Sequence, residues 1–339
     1  MGRKPKEISI TKIAMEAGVS VSTVSRAMNS RASVSEETRK KINELMKKYN
    51  FIPTPAVQRE KKIALLVGSN RFNDYVSEVF NGIYKYTEAN SLETTLIFKK
   101  EYSRYSLLEQ IRDQQCSGIV VIVPADFSDS LAALAESELP VVLIDEAVYR
   151  KGLGFIDHDS YSGSREAVKY LLELNHRNIG YIECNRQTIN HIQRFKAYEN
   201  TMKEAGITPD PKWHILTEPD ANTYRTSFLK MQELLGRAPE LTAVMTSNDT
   251  IAIGAMKGAL EMGKRIPEDI SIIGFDNYKQ TEFLNPALTT VNHPIEEAGF
   301  LAAKSIDQCL KNPQATQLPQ EILPTSLLIR GSTAFCRPY

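Results

Sequence analysis

From Lys62 onward the chain alternates apolar runs with segments of helical spacing, and few folds accommodate that order. Seven runs rich in Ile, Val and Leu predict strands at residues 63–68, 94–98, 118–123, 141–145, 178–182, 243–247 and 270–275. Between them lie segments of helical spacing, at 77–90, 161–174, 190–205 and 249–262. Strands that are apolar throughout are typical of parallel sheets covered by helices. The order therefore predicts a doubly wound α/β core, and its length favours two such sheets with a cleft between them.

The first 60 residues differ from this core in charge and in pattern. They hold 12 Lys and Arg against 6 Asp and Glu, whereas the whole chain holds 41 of each. A basic segment on an acidic body indicates a nucleic-acid-binding arm. Ser9 is expected to cap a first helix that ends at Gly18, Ser20 a second that runs to Met28, and Ser35 a third at 36–48. Two helices joined by a tight glycine turn predict a helix-turn-helix, which places its second helix in the major groove.

Side chains of the second predicted helix divide into packing and reading positions. Ala14, Val19, Val24 and Ala27 are expected in the core of the head, whereas Val21, Ser22 and Arg26 face outward. A guanidinium can hold guanine O6 and N7 together, which discriminates by about 1–3 kcal/mol. The hydroxyls of Ser20, Thr23 and Ser25 suit phosphate oxygens. A generic three-helix bundle with a solvated basic face is the alternative.

Polar residues collect where the predicted strands of the core end. Asp145 follows one strand, Asn248 and Asp249 follow another, and Asp276 a third, while Arg194 lies one turn into the 190–205 helix. Open α/β sheets bind ligands at these carboxyl ends. Carboxylate, amide and guanidinium groups beside an aromatic ring, here Tyr75 or Phe72, suit a polyol.

The sequence lacks the motifs of the common catalytic and cofactor-binding sites. No G-x-S-x-G surrounds Ser162, and no Walker A or G-x-G-x-x-G pattern occurs, so we expect no enzyme and no cofactor. The four cysteines form no metal or redox motif. Asp157-His158-Asp159 is not expected to bind metal, because alternate residues of a strand point to opposite faces. The lone histidines are interpreted as surface or core residues: His176, His191, His214 and His293. The N-terminus lacks a signal peptide and no run reaches a membrane span, which indicates a cytoplasmic, nucleoid-associated protein.

The stretch 9–29 resembles the DNA-binding head of the LacI/GalR (lactose-repressor) family, T-I-x-D-V-A-x-x-A-G-V-S-x-x-T-V-S-R-x-L-N. Ser9 replaces the first Thr and Lys12 replaces the Asp. The stretches 34–42 and 49–53 are also similar to the family. Together with the resemblance, the predicted DNA-contacting residues are Ser20, Val21, Ser22, Thr23, Ser25, Arg26, Asn29 and Tyr49.

The core resembles the same family and the periplasmic sugar-binding proteins, most clearly at 243–255, 266–277, 286–294 and 323–333. The resemblance implies a two-subdomain periplasmic-binding-protein-like core. Arg194, Asn248 and Asp276 match effector-binding positions of the family, and Asn73 and Tyr75 match its N-P-F-F region. We interpret Asp249 as a helix cap and Asp145 as either a pocket residue or a cap. The predicted effector-binding residues are Asn73, Tyr75, Asp145, Arg194, Asn248 and Asp276.

The segment 53–62 is the main departure from the family, because it is shorter and has Glu60 where a leucine would enter the minor groove. An ordinary hinge helix is therefore not expected, and a plain extended linker is the alternative. The predicted domains are a head at 1–52, this linker, and a core at 63–339. Within the core, one subdomain comprises about 63–158 and 290–318, and the other about 159–289 and 319–339.

These observations predict a sequence-specific transcriptional regulator, most simply a repressor. Its partners are double-stranded operator DNA, a second copy of the chain in a homodimer, and a small effector, for which a sugar is the leading candidate. Two alternatives stay open. One is a global catabolite-type regulator with a phosphoprotein co-regulator, and the other is a sugar-binding receptor without a transcriptional role.

Overall fold

The computed structural model describes residues 10–20, 23–24, 27, 34–49, 61–68, 72–98, 109, 111, 113–122, 128–137, 139–184, 188–217, 223–312 and 317–336. The chain divides into two units, Met1–Glu60 and Lys61–Tyr339. Most of the predicted linker, including Glu60, lies outside the described residues. So do five predicted DNA-contacting residues, for which the assignment stays a prediction: Val21, Ser22, Ser25, Arg26 and Asn29.

The head contains helices α1 (Ile10–Ala17) and α2 (Glu36–Lys48). Ser35 caps α2 by accepting a hydrogen bond from the backbone N–H of Thr38, as predicted. Gly18 follows α1 with a φ of 73°, a conformation that glycine adopts without steric cost. A small apolar core joins the helices, and the predicted core residues Ala14, Val24 and Ala27 are buried in it, with Val19 packed against it. The other buried members are Ile13, Ala17 and Ile42.

The core unit contains two six-stranded sheets, as the alternation of strands and helices predicts. The first has the order β11–β5–β4–β3–β1–β2, with every pairing parallel. Its strands are β1 (Lys62–Val67), β2 (Glu93–Phe98), β3 (Gly118–Ile122), β4 (Val141–Ile144), β5 (Leu153–His158) and β11 (Gln320–Leu323).

The second sheet has the order β12–β10–β9–β8–β6–β7 and is parallel except for the pairing of β10 with β12. Its strands are β6 (Ile179–Glu183), β7 (His214–Leu216), β8 (Ala243–Thr246), β9 (Ser271–Asp276), β10 (Thr289–Asn292) and β12 (Ser326–Leu328). All seven strands predicted from apolar runs are present. The two-sheet α/β fold class is thereby confirmed.

Helices cover both sheets and bury their apolar faces against them. They are α3 (Asp74–Ala89), α4 (Ser128–Ala135), α5 (Ser160–Glu173), α6 (Ile189–Glu204), α7 (Tyr224–Arg237), α8 (Asp249–Glu261) and α9 (Ile295–Lys311). Two 3₁₀ turns, Pro211–Trp213 and Lys279–Phe283, complete the described elements. Gly206 and Gly263 follow α6 and α8 with φ of 75° and 76°, as expected of residues that end a helix.

The chain crosses between the sheets three times: after β5, after β10 and after β11. The second crossing follows β10, which belongs to the second sheet, and the third follows β11, which belongs to the first. The residue bounds of the two subdomains stay a prediction. Thr325, on the third crossing, donates a hydrogen bond to the carbonyl of Asp159 on the first, at 2.9 Å. The first and third crossings therefore lie side by side, at the carboxyl ends of β5 and β11.

Candidate functional site: a ring of charged side chains between the sheets

Three of the predicted effector-binding residues meet between the two sheets. Asp145 directly follows β4 and adopts a φ of 60°, while Asp276 ends β9 with a φ of 118°. Arg194 projects from the second turn of α6 and is only 4% exposed. Two histidines from the crossings join them: His158, at the end of β5, and His293, just after β10.

These five side chains form a closed cycle of hydrogen bonds, here called the cleft ring (Asp145, His158, Arg194, Asp276 and His293). Asp145 Oδ1 is bonded to His158 Nδ1 at 3.0 Å and to His293 Nε2 at 3.1 Å. Arg194 donates to His158 Nε2 at 3.0 Å and to Asp276 Oδ1 at 3.4 Å. His293 Nδ1 closes the cycle on Asp276 Oδ1 at 3.3 Å, and the two imidazoles stack with centroids 3.6 Å apart.

The donors and acceptors of the ring fix the protons on both histidines. Arg194 can only donate, so His158 Nε2 is an unprotonated acceptor and its Nδ1 carries the hydrogen. Burial, and then the charge of His293, lower the pKa of His158, in agreement with this neutral tautomer. His293 faces a carboxylate with each nitrogen and is therefore an imidazolium. Burial lowers its pKa, but Asp145 and Asp276 outweigh that effect and raise the pKa to about 9.

Arg194 has further partners in the second subdomain. Its Nη1 donates to the carbonyl of Ser247 at 2.6 Å, and its Nε donates to the hydroxyl of Ser160 at 3.2 Å. The guanidinium also lies 3.6 Å from the centroid of the Phe275 ring, within the range of a cation–π contact. Because the partners surround all three of its nitrogens, the position of Arg194 is fixed before any ligand arrives.

Asp145 is the member of the ring closest to solvent, with a side chain 20% exposed. Burial raises its pKa, but the neighbouring His293 and His158 reverse that effect and hold the pKa well below its ordinary value. Asn190 of α6 donates at 2.9 Å to the backbone carbonyl of Asp145 and to the carboxylate of Asp157. The amide of Asn190 thus joins the second subdomain to two acidic residues of the first.

Tyr75 lies beside the ring, 6.1 Å from the His293 ring between centroids. Its hydroxyl is buried and has no hydrogen-bond partner among the described residues. Burial, and then the charge of Asp145, raise the pKa of Tyr75 well above its ordinary value. A buried hydroxyl without a partner is costly, so a ligand that bonded to it would bind more tightly for that reason.

The other predicted effector-binding residues occupy helix caps. Asn73 accepts a hydrogen bond from the Val76 N–H at 3.0 Å and begins α3, with its side chain exposed. Asn248 accepts one from the Ile251 N–H at 2.9 Å and begins α8, where it is 5% exposed. The caps use the amide oxygens of both residues, and the amide nitrogens remain for other bonds.

The interpretation of Asp249 as the cap of the following helix is wrong, because Asn248 holds that position. Asp249 is fully buried and accepts hydrogen bonds from the Tyr278 N–H at 2.9 Å and the Thr290 hydroxyl at 2.6 Å. A Cβ on Gly274 would lie 2.1 Å from the Asp249 carboxylate, so only glycine leaves room for it. Asp249 therefore connects α8 to the turn after β9 and to β10.

Sequence reasoning missed His158 and His293 as members of the site. Each follows or ends a strand, the same signal that selected Asp145 and Asp276. From the sequence, the strand expected at 157–159 is considered only as a metal site, and none of the seven apolar runs predicts β10. Asp159 caps α5 by accepting from the Ser162 N–H at 2.9 Å, whereas the Asp157 carboxylate lies 3.5 Å from His158 Nδ1. His176 is a buried core residue bonded to Thr242 and to the Ala334 carbonyl, as expected.

Asp145, His158 and His293 are the group of described residues that could hold a metal ion, since their ligand atoms lie within 4.8 Å of one another. A metal needs an unprotonated histidine nitrogen. In this arrangement Arg194 puts the hydrogen of His158 on Nδ1, the atom that faces Asp145, and His293 carries hydrogens on both nitrogens. The geometry therefore corresponds to a hydrogen-bonded ring.

In the head, three of the predicted DNA-contacting residues lie among the described residues: Ser20, Thr23 and Tyr49. The hydroxyl of Ser20 accepts a hydrogen bond from the backbone N–H of Thr23 at 3.2 Å. Tyr49 donates its hydroxyl hydrogen to Glu16 of α1, and its ring lies 4.8 Å from the Lys12 ammonium and 5.0 Å from that of Lys48. Tyr49 thus ties the end of α2 to α1 and gathers two positive charges around it.

Comparison with known proteins agrees with both units. Residues 9–54 match the model of bacterial regulatory proteins of the lacI family, and residues 168–333 match that of the periplasmic binding protein-like domain. The ribose operon repressor of Haemophilus influenzae is 31% identical over 325 residues, which cover 93% of this chain and 96% of that protein.

Two solved structures extend the comparison. A LacI family transcriptional regulator from Enterococcus faecium with bound ribose is 27% identical, with a TM-score of 0.72 over 82% of this chain and 100% of its own. The lac repressor dimer bound to operator and the anti-inducer ONPF is 23% identical, with a TM-score of 0.69 over 97% of this chain and 100% of its own, and it shares the fold.

A helix-turn-helix head and a two-sheet core with polar residues at the strand ends define a class of ligand-responsive DNA-binding proteins. This chain belongs to the lacI family of bacterial regulatory proteins. Within the described part of the chain, none of the helices has the length and apolar composition needed to cross a membrane.

Proposed function

We propose that this protein is a sequence-specific transcriptional repressor that binds operator DNA as a homodimer and is controlled by a small carbohydrate. The observation that carries the proposal is the cleft ring, which brings Asp145 of one subdomain against Arg194 and Asp276 of the other. The relatives support it, since one is named a ribose operon repressor and another was solved with ribose bound.

The ring suggests how an effector acts on the DNA-binding state. A ligand that contacts Asp145 in the first subdomain and Asp276 in the second changes the relation between them only if it binds two arrangements with different affinity. By linkage, DNA then changes effector affinity by the same factor. We further propose that the protein acts in the cytoplasm and catalyses no reaction, because its relatives are transcriptional regulators.

DNA selection with the purified full chain tests the DNA-binding half of the proposal. We expect a two-fold symmetric site, because a dimer presents one reading helix to each half-site. Arg26→Ala is expected to weaken binding to that site by about 1–3 kcal/mol and to relax one base position. If the variant changes only the salt dependence, Arg26 contacts phosphate. Failure to enrich any sequence contradicts the proposal.

A further inference from the structure

We propose that the cleft accepts neutral or amino-bearing carbohydrates and excludes anionic ones, such as sugar phosphates and uronates. This inference rests on the proposed function, because it names the class of effector that the same site takes. Three features support it. Both cations of the ring are bonded to carboxylates of the protein, the carboxylates outnumber the cations, and the carboxylate oxygens outside the cycle are hydrogen-bond acceptors.

Both cations of the ring are already bonded to carboxylates of the protein. His293 donates one nitrogen to Asp145 and the other to Asp276, at 3.1 and 3.3 Å. Arg194 donates to Asp276, and also to the Ser247 carbonyl at 2.6 Å and to His158. An anionic ligand therefore competes with an internal carboxylate for either cation, and a carboxylate that it displaces stays buried without its partner.

The charges around the ring sum to a negative value. Asp145, Asp157 and Asp276 oppose the two cations, Arg194 and His293, while His158 is the neutral tautomer fixed by Arg194. Asp157 accepts from Asn190 and is 7% exposed, so it adds a buried negative charge close to Asp145. Like charges repel more strongly in a partly buried cleft than in water, because the effective dielectric constant is lower there. A phosphate or carboxylate brought to this cleft meets that repulsion.

The two carboxylates of the ring each leave one oxygen outside the cycle of hydrogen bonds. At Asp145 and Asp276 every bond of the ring uses Oδ1, so Oδ2 of each lies outside the cycle. Hydroxyl and ammonium groups donate to such oxygens, whereas phosphate and carboxylate oxygens cannot. The buried hydroxyl of Tyr75, without a partner among the described residues, can bond to a sugar hydroxyl in the same place. A neutral polyol or an amino sugar matches this set.

Calorimetry on the full-length protein with matched carbohydrates tests the inference. The probes are D-ribose, D-glucose and D-galactose, each with its terminal phosphate ester, together with the uronates and 2-amino derivatives of the two hexoses. In every series that binds, we expect the neutral or amino member to bind at least about tenfold more tightly than the anionic members. An anionic member that binds as tightly as its neutral counterpart overturns the inference and leaves the proposed function standing. A panel in which nothing binds contradicts the carbohydrate effector itself, and the inference with it.

A variant that lacks one charge of the ring tests the electrostatic cause of the selectivity, in any series of carbohydrates that binds. Asp145→Asn frees part of the His293 charge, so the ratio of neutral to anionic affinity is expected to fall at least threefold, whatever happens to either affinity alone. Asp269→Asn is the matched control, because Asp269 pairs with Arg265 on the surface and the substitution changes net charge equally. An equal ratio in the wild type, the control and Asp145→Asn overturns the electrostatic explanation.

Discussion

Two sets of polar contacts join the same two subdomains, one buried and one exposed. The buried set is the cleft ring. The exposed set, here called the rim contacts, comprises hydrogen bonds from Tyr224 and Gln280 to Asp74, and from Lys279 to Glu78 and Glu296. Both sets pair carboxylates with donors at about 3 Å, so geometry alone does not distinguish them.

Burial distinguishes the two sets. The side chain of Lys279 is 68% exposed, whereas that of Arg194 is 5% exposed. Water replaces a lost partner of an exposed charge, so such pairs contribute about 0–1 kcal/mol. A buried charge that loses its partner has no such replacement, which makes the loss cost about 3–5 kcal/mol. We therefore expect the cleft ring to govern both the stability and the ligand specificity of the core. The rim contacts are expected to govern neither.

The largest effect is expected from Arg194→Met, which keeps the apolar stem above Phe275 but removes the charge. Asp276 and the Nε2 of His158 then lose a buried donor, so the free energy of unfolding falls by about 3–5 kcal/mol. Urea denaturation measures it. Arg265→Met, on a surface pair with Asp269, is the control and should change stability little. A loss below about 1 kcal/mol for Arg194→Met would show that the buried ring stabilises the core no more than the exposed rim contacts do.

His293→Gln is expected to have a smaller, pH-dependent effect. The pKa of His293 is raised to about 9 in the folded chain, so the stabilisation from its charge is fully present below about pH 6.5 and is lost as the pH rises through 9. The difference in unfolding free energy between wild type and variant should therefore shrink between pH 7 and pH 9.5. A difference that stays constant over this range would mean that His293 is not the charged link between Asp145 and Asp276.

Lys279→Ala is expected to have the smallest effect. It removes both ion pairs of Lys279, with Glu78 and Glu296, yet all three groups reach water. Unfolding free energy should change by less than about 1 kcal/mol, and the change should vanish at high salt because exposed pairs are screened. A salt-independent loss of stability comparable to that of Arg194→Met would show that the rim contacts stabilise the core as much as the cleft ring does.

The sequence predicts the core strands well because most of the seven apolar runs are buried on both faces, so that consecutive residues of the strand are apolar. β11 and β12 were not predicted, because they are short edge strands with exposed residues and contain no continuous apolar run. Asp145 and Asp276 were predictable because strand ends in such folds meet at one edge. His158 and His293 were not, because 135 positions separate two residues whose rings stack only when the crossings lie side by side.

The exchange of roles between Asn248 and Asp249 shows a second limit. Both residue types cap helices, and both lie within three residues of the end of β8, so local sequence favours neither. The choice depends on Gly274, which leaves space for the Asp249 carboxylate over β9, and on the Tyr278 N–H and Thr290 hydroxyl that bond to it. These partners come from a distant part of the chain, and only the tertiary structure reveals them.

Operator binding by the full chain, wild type and Asp276→Ala, measured with and without the carbohydrate that binds best, tests whether the effector binds at the cleft ring. We expect both proteins to bind the selected operator with similar affinity, and only the wild type to change its affinity when the carbohydrate is added. A variant that responds as the wild type does would contradict the assignment of the effector to the cleft ring.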